Sequence, residues 1–201
     1  MGDQPLTQET AMRPALIVLT LALLSQAAPI LAAEDDAGTY KIDPTHSNAT
    51  FTLTHLGVSR FTGRFDNVNG SFVVAGKDSR ISAEVGLDQL NTGLPKREEH
   101  LKSAEYFDAA RFPTLSFKST SVKLDGQGDG TVTGELGIHG VTRPVTFKVR
   151  HIGAGKDPWG GFRSGYLATA TIKRSDWGMN TMLGALGDAV DLSISIEGIR
   201  Q

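Results

Sequence analysis

The sequence has 201 residues, contains no cysteine and carries a formal net charge of −2. The lack of cysteine excludes disulfide frameworks, thiolate metal sites and cysteine nucleophiles. Because the net charge is small, the chain has no strong basic field that would attract nucleic acid, and we expect no nucleic-acid partner. The length fits one sizeable globular domain.

The N-terminal segment has the pattern of a secretory signal peptide. Arg13 stands before an apolar run at 15–24, which is shorter than the roughly 20 residues that span a bilayer. Small residues follow, and an acidic stretch comes after them, as at a cleavage site. We therefore predict that residues 1–33 are cleaved off and that 34–201 form the exported protein. The alternatives are an uncleaved membrane-anchoring helix and a start at Met12.

Alternating apolar and polar residues dominate the rest of the chain. Phe51 and Leu53 alternate with threonines, for example, and such a pattern predicts strands with one buried and one solvated face. About nine segments show it: 40–42, 50–54, 71–74, 81–88, 115–118, 132–138, 145–150, 166–172 and 190–197. Such strands form either a sandwich or a closed barrel, and the alternation leaves both open.

One segment breaks this pattern. Residues 95–104 read PKREEHLKSA, which contains good helix formers and has Pro95 near its start. We expect a short helix there, on which Arg97 and His100 share a face because they are three residues apart. The glycine cluster at 126–130 lacks the strand-then-helix context of a nucleotide-binding loop and predicts a β-turn. No linker interrupts the chain after the N-terminal segment, so we expect a single domain.

Several short motifs, in order along the chain, resemble the YceI family. They cover about residues 39–200. Near Asp176, this chain has Trp177 before Gly178, where the family more often has Phe. The motifs are Tyr40-Lys41-Ile42-Asp43 with His46, Phe51, His55-Leu56-Gly57-Val58-Ser59, Gly63-Arg64-Phe65 with Gly70, Arg97 with His100-Leu101-Lys102-Ser103, Tyr106-Phe107-Asp108 with Phe112-Pro113, His139-Gly140-Val141-Thr142-Arg143-Pro144-Val145, and Asp157-Pro158-Trp159-Gly160.

The resemblance implies an all-β fold: an eight-stranded antiparallel, lipocalin-like barrel with one short helix and an internal apolar cavity. It implies that the cavity holds a polyisoprenoid, such as a quinone or a polyprenyl lipid, or a related long-chain amphiphile. It further implies export to the periplasm and formation of a homodimer. Family members also occur beside membrane cytochromes of the b561 type, so a transient link to membrane quinone systems is an open alternative.

A site for such a ligand needs an apolar lining and a few polar groups at its mouth. For the head group, we select donors within or beside the family motifs, namely His55, Arg60, Arg97 and His100. The alternatives are plain core packing for the lining and solvated surface charge for the helix residues. The candidates for the lining are Phe51, Leu53, Phe65, Phe72, Val85, Leu115, Phe117, Leu136, Phe147, Tyr166, Trp177, Met179, Met182 and Ile194.

Other chemistries find little support. None of the five histidines forms a close H-x-x-x-H pair, and no Gly-x-Ser-x-Gly nucleophile motif occurs. His46 and His139 lie in predicted turns, where we expect their side chains to bond neighbouring backbone groups. We expect a binding protein, not an enzyme, with no metal and no cofactor beyond the bound lipid. The competing hypotheses are a stress-response or interaction protein with a filled core, and an enzyme acting on an isoprenoid lipid.

Overall fold

The computed structural model describes residues 1, 2 and 36–201. The predicted signal peptide, 1–33, lies outside the described residues except for its first two, so its cleavage stays a prediction. The strands are β1 (Gly38–Ile42), β2 (Asn48–His55), β3 (Ser59–Phe65), β4 (Asn69–Val74), β5 (Arg80–Gly86), β6 (Leu90–Asn91), β7 (Thr114–Leu124), β8 (Gly130–Ile138), β9 (Val141–Lys156), β10 (Phe162–Lys173) and β11 (Leu186–Arg200). One α-helix, α1 (Pro95–Lys102), and three short 3₁₀ turns, Gly76–Asp78, Leu87–Gln89 and Arg174–Trp177, complete the fold.

The eleven segments form an eight-stranded closed antiparallel barrel. The first three strands of the barrel are each divided into two segments. The segments β1 and β2 form the first strand, β3 and β4 the second, and β5 and β6 the third. Both β1 and β2 pair with β11, and this pairing closes the ring. The predicted barrel is thereby confirmed, and the sandwich is excluded. The predicted count of about nine strand segments is lower than the observed eleven, because short interruptions divide these three strands.

The alternation along each strand sorts side chains between the barrel interior and solvent. On β9, Val145 and Phe147 are buried while Thr146 and Lys148 are exposed. On β8, Gly134 occupies an interior position where a Cβ would lie 2.6 Å from the ring of Phe117 and 2.4 Å from a backbone oxygen of β7. The absence of a side chain there lets an aromatic ring from the neighbouring strand lie against the backbone.

The helix covers one end of the barrel. Pro95 occupies its first turn, where a missing N–H is tolerated. The helix ends at Lys102, two residues before the predicted boundary, because Ser103 is extended and its N–H bonds the carbonyl of His100. The loop that follows turns inward, and Phe107 makes edge-to-face contacts with Phe51 and Phe65 inside the barrel.

The opposite end of the barrel is held together by ion pairs around Arg163, at the start of β10. Its guanidinium bonds Asp43 at 2.8 Å, Asp157 at 3.0 Å, and Glu197. Burial opposes ionisation of Asp43, but hydrogen bonds from Thr45, Arg163 and His46 prevail and hold the pKa of its carboxyl well below the usual range. These bonds connect the start of the chain with the β9–β10 hairpin and the last strand.

Candidate functional site

The barrel encloses a cavity of about 520 Å³ beneath α1, here called the upper cavity. Its walls come from β2, β3, β7, β8, β10 and β11, and α1, the loop after it and the segment between β10 and β11 complete them. Such a cavity falls within the size range of small-molecule sites. The predicted lining residues that border it are Phe51, Leu53, Phe65, Leu115, Met179 and Met182.

Two smaller voids continue the upper cavity along the barrel axis. The middle cavity has about 100 Å³ and shares Phe51, Phe65 and Leu115 with the upper one. The deep cavity has about 110 Å³ and shares Phe117 and Ile194 with the middle one. Because neighbouring voids share their walls, the three form a row separated only by side chains.

The structure brings thirteen of the fourteen predicted lining residues to this row. Val85 and Leu136 border the middle cavity, and Phe72, Phe147 and Tyr166 border the deep one. Several of these wall residues are only half-buried, although they point inward. Empty space beside a side chain leaves part of its surface accessible, which a filled core would not.

Trp177 is the exception among the predicted lining residues. It borders none of the three cavities, although only 2% of it is exposed. Its indole N–H donates a hydrogen bond of 3.1 Å to the carbonyl of Leu136, which fixes it within the barrel wall. The lining role predicted for Trp177 is therefore not supported, because the 3₁₀ turn that carries it packs the ring against β8. The side chain contributes to packing.

All four residues predicted to meet a head group border the upper cavity. His55 and Arg60 lie at the turn between β2 and β3, and Arg97 and His100 lie on α1. Met182 stands beside them with 55% of its surface exposed, and its sulfur accepts a hydrogen bond from Tyr106 at 3.7 Å. These four basic side chains thus gather at one end of a row of cavities whose walls are mainly apolar.

The partners of these four residues differ. Arg60 pairs with Asp191 at 2.5 Å, and His100 lies 3.3 Å from the carboxylate of Glu105. Within the described residues, Arg97 bonds only neutral groups of Thr92, its side-chain oxygen at 3.1 Å and its carbonyl at 2.6 Å. Its guanidinium also lies 4.8 Å from the ring centre of Phe61, a cation–π contact.

Sequence reasoning missed Arg174, which borders the upper cavity and is only 6% exposed. Its guanidinium donates to the carbonyls of Met179 at 2.7 Å, Leu186 at 2.9 Å and Gly187 at 3.0 Å. Burial lowers the pKa of this guanidinium, and the nearby charge of Asp188 opposes that shift. The only available signal was its place directly before the motif that contains Trp177.

Sequence reasoning also missed a cluster of potential metal ligands at the other end of the barrel. Ligand atoms of Asp43, His46 and Glu197 lie within 4.8 Å of one another. Arg163 already donates to both carboxylates, so a cation occupies this position within the protein itself. His46 bonds Asp43 at 2.8 Å. The arrangement therefore serves as an ion-pair network that connects chain segments.

The deep cavity ends at a small polar group of side chains. The hydroxyl of Tyr166 donates to Asp36 at 2.9 Å, and His151 lies 3.5 Å from the same carboxylate. Burial raises the pKa of Tyr166, so its hydroxyl stays protonated and acts as a donor. At the other end, His139 bonds the carbonyl of Trp177 at 3.1 Å, in the turn where a backbone contact was predicted.

Taken together, the interior offers a long apolar space with basic groups at one end. This arrangement suits a molecule with a hydrocarbon tail and a small polar head. Among the described residues, no helix combines the length and the hydropathy that crossing a membrane requires.

The comparisons with known proteins agree with this geometry. Protein YceI of Escherichia coli O157:H7 is 38% identical over 195 residues, which cover 94% of this chain and 100% of that protein. The crystal structure of BcnA from Burkholderia cenocepacia superposes with a TM-score of 0.70 at 18% identity, covering 78% of this chain and 98% of BcnA.

A second solved structure is a polyisoprenoid binding domain from Saccharophagus degradans implicated in plant cell wall breakdown. It superposes with a TM-score of 0.63 at 18% identity, covering 81% of this chain and 98% of that domain. At this identity both structural matches speak for the fold. A family model described as a YceI-like domain matches residues 40–198, which is most of the chain. The chain therefore belongs to the YceI-like family.

Proposed function

We propose that this protein is a periplasmic carrier that holds a polyisoprenoid, such as a quinone or a polyprenyl lipid, or a similar long-chain amphiphile inside its barrel. The observation that carries the proposal is the row of three cavities, which runs from α1 past β5 and β7 toward Tyr166. The name of the Saccharophagus degradans domain, which has the same fold, supports an isoprenoid as the ligand.

The energetics of such a ligand match an apolar interior. Each CH₂ group that moves from water into protein gains about 0.8 kcal/mol, so a long tail supplies most of the binding free energy without any polar contact. The walls of the middle and deep cavities are built mainly from Phe, Val, Leu, Ile and Ala side chains. A filled core would need none of this volume, which favours a carrier over an interaction protein with a packed interior.

The proposal is for binding without turnover. Catalysis on a lipid would require an acid or base placed beside the reacting atoms. His55, Arg60, Arg97 and His100 lie at the mouth of the upper cavity, near where a head group would be. Arg174 lies deeper, and its guanidinium is bonded to three backbone carbonyls. At the deep end of the row, the hydroxyl of Tyr166 is already bonded to Asp36.

Export to the periplasm is part of the proposal and depends on the predicted cleavage of residues 1–33. The proposal also includes a homodimer and a transient contact with membrane quinone or cytochrome b561 systems.

N-terminal sequencing of protein recovered from the periplasm tests export and cleavage. We expect a start at or within one residue of Glu34, and an intact N-terminus in the membrane fraction would contradict it.

Native mass spectrometry of protein produced in a bacterial host and purified without detergent tests the function. We expect an adduct whose mass matches an isoprenoid lipid and which solvent extraction releases. Extracted protein should then take up added ubiquinone or polyprenyl phosphate. A clean mass for the protein alone, with no uptake of either lipid, would contradict the carrier and favour the interaction protein.

A further inference from the structure

The charged side chains that border the upper cavity are arginines, and two histidines lie beside them. Among residues 36–201, its lining contains three arginines, Arg60, Arg97 and Arg174, and two histidines, His55 and His100, but no aspartate or glutamate. A neutral head group such as a quinone or an alcohol needs one or two hydrogen-bond donors. It does not need a concentration of cationic groups, which is costly to hold near an apolar space.

Two of the three arginines have no carboxylate partner in the part of the chain that the structure describes. Asp191 neutralises Arg60, whereas Arg97 bonds only the oxygens of Thr92. Among the described residues, no carboxylate comes within ion-pair distance of Arg97 or Arg174. The bonds of Arg97 occupy its Nε and Nη2, so its Nη1 has no acceptor within the described part of the chain and lies at the border of the cavity.

Arg174 adds a second positive charge, in a less accessible position. It is more than nine-tenths buried and bonds three backbone carbonyls. The nearest acid that acts on it, Asp188, accepts two bonds of 2.9 Å from Ser175, one from its N–H and one from its hydroxyl. A buried cation without direct pairing is expensive, and an anion in the adjoining cavity would offset that cost.

We infer that the upper cavity selects ligands with an anionic head group, a phosphate or a carboxylate on a long apolar chain, and that Arg97 contacts this group while Arg174 attracts it. This inference rests on the proposed function, since it concerns the head group of the same lipid. Guanidinium groups bind phosphate and carboxylate oxygens through charge-assisted hydrogen bonds, which are about twice as strong as neutral ones. The chemistry shared by the two head groups is the anionic oxygen.

Ligands matched in chain and different in head group test the inference. Delipidated protein is titrated with geranylgeranyl phosphate, geranylgeraniol, palmitate and palmityl alcohol, with displacement of the neutral probe N-phenyl-1-naphthylamine as the readout. We expect each anion to bind about tenfold or more tightly than its alcohol, and the difference to shrink at high salt. Preference for only one of the two anions would identify it as the head group.

The Arg97→Gln variant assigns the effect to a residue. It should weaken binding of the anions about tenfold and leave binding of the alcohols within about twofold. Lys77→Gln is the matched control, because Lys77 is 92% exposed on the β4–β5 turn and borders none of the three cavities. Arg174→Gln is judged only after its folding has been verified by circular dichroism, because its bonds to three carbonyls also hold a loop.

The outcomes separate the two proposals. Equal affinity for anions and alcohols, or equal losses for both in Arg97→Gln, would overturn the anionic head group and leave the lipid carrier standing. If none of the four ligands displaces the probe or binds in native mass spectrometry, the carrier itself fails and the head-group inference fails with it.

Discussion

Filling the junction between the middle and deep cavities should shorten the ligand that the barrel accepts. Ala83 lies on β5 and borders both cavities, together with Phe117 and Ile194. The Ala83→Phe substitution places a ring at this junction and closes off the deep cavity of about 110 Å³. A long tail would then lose the part that lies beyond the junction.

The expected magnitude follows from the length of tail excluded. One isoprene unit has about five carbon atoms, and at about 0.8 kcal/mol for each buried CH₂ its exclusion costs about 4 kcal/mol. Since 1.4 kcal/mol corresponds to a factor of ten, affinity for the long ligand should fall by a factor on the order of several hundred to a thousand. A short ligand that ends above the junction should bind almost as well as before.

Isothermal titration with geranyl, geranylgeranyl and solanesyl ligands that share one head group measures this dependence. In the unmodified protein, affinity should rise along the series; in Ala83→Phe it should level off. Ser82→Phe is the control, since Ser82 is exposed on the same strand and its side chain points away from the interior. If folded Ala83→Phe binds the longest ligand as tightly as the unmodified protein, the tail does not occupy the deep cavity and the reasoning is refuted.

Three further predictions concern stability. Asp43→Asn should lower the free energy of unfolding in urea by about 2 kcal/mol, because charged hydrogen bonds to the carboxylate are lost. Asp78→Asn is the control and should change the free energy little, because the Asp78 side chain is 70% exposed. Equal effects of the two substitutions would contradict the role of the ion-pair network. Because the pKa of Asp43 is lowered in the folded state, the stabilisation by its carboxylate is fully present above about pH 4, the usual pKa of an unfolded Asp, and is lost as the pH falls further. Acid titration of Asp43→Asn should therefore show a shallower loss of stability than acid titration of the unmodified protein. Trp177→Phe should lower the free energy of unfolding by about 1 kcal/mol, because one buried hydrogen bond is lost, and should leave lipid affinity unchanged. Trp159→Phe is the control and should change neither quantity, because Trp159 is 80% exposed. A large loss of lipid affinity in Trp177→Phe would show that Trp177 contacts the ligand. Arg174→Met should destabilise the protein by about 3 kcal/mol and increase proteolysis of the loop before β11, since three carbonyls lose their donor. An unchanged proteolysis rate would show that other contacts hold the loop.

The strands and the direction of their side chains could be predicted from the sequence because alternation is a local property. Each residue along β9, for example, has its side determined by the pleat of its own strand, so Val145 and Phe147 were correctly expected inside. The start of α1 was equally local, since Pro95 favours the first turn of a helix. Its end was less predictable, because Ser103 leaves the helix to lead Phe107 into the barrel.

The convergence of the mouth residues depended on tertiary structure, and the sequence supplied it only through the family resemblance. His55 and Arg60 reach the upper cavity from the β2–β3 turn, and Arg97 and His100 reach it from α1. Arg174 joins them from the far end of β10, in a position that no periodicity marks. A spacing of dozens of residues contains no information about distance until strand pairing fixes it.

The sequence by itself determined that the chain folds into antiparallel strands with one apolar face, and its motifs determined the family. Only the tertiary structure decided that β1 and β2 close the ring against β11, and that the interior keeps three voids instead of being filled. Closure depends on pairing between the two ends of the chain. The voids depend on the sum of side-chain volumes from many strands, where a small residue such as Ala83 leaves space that no single strand reveals.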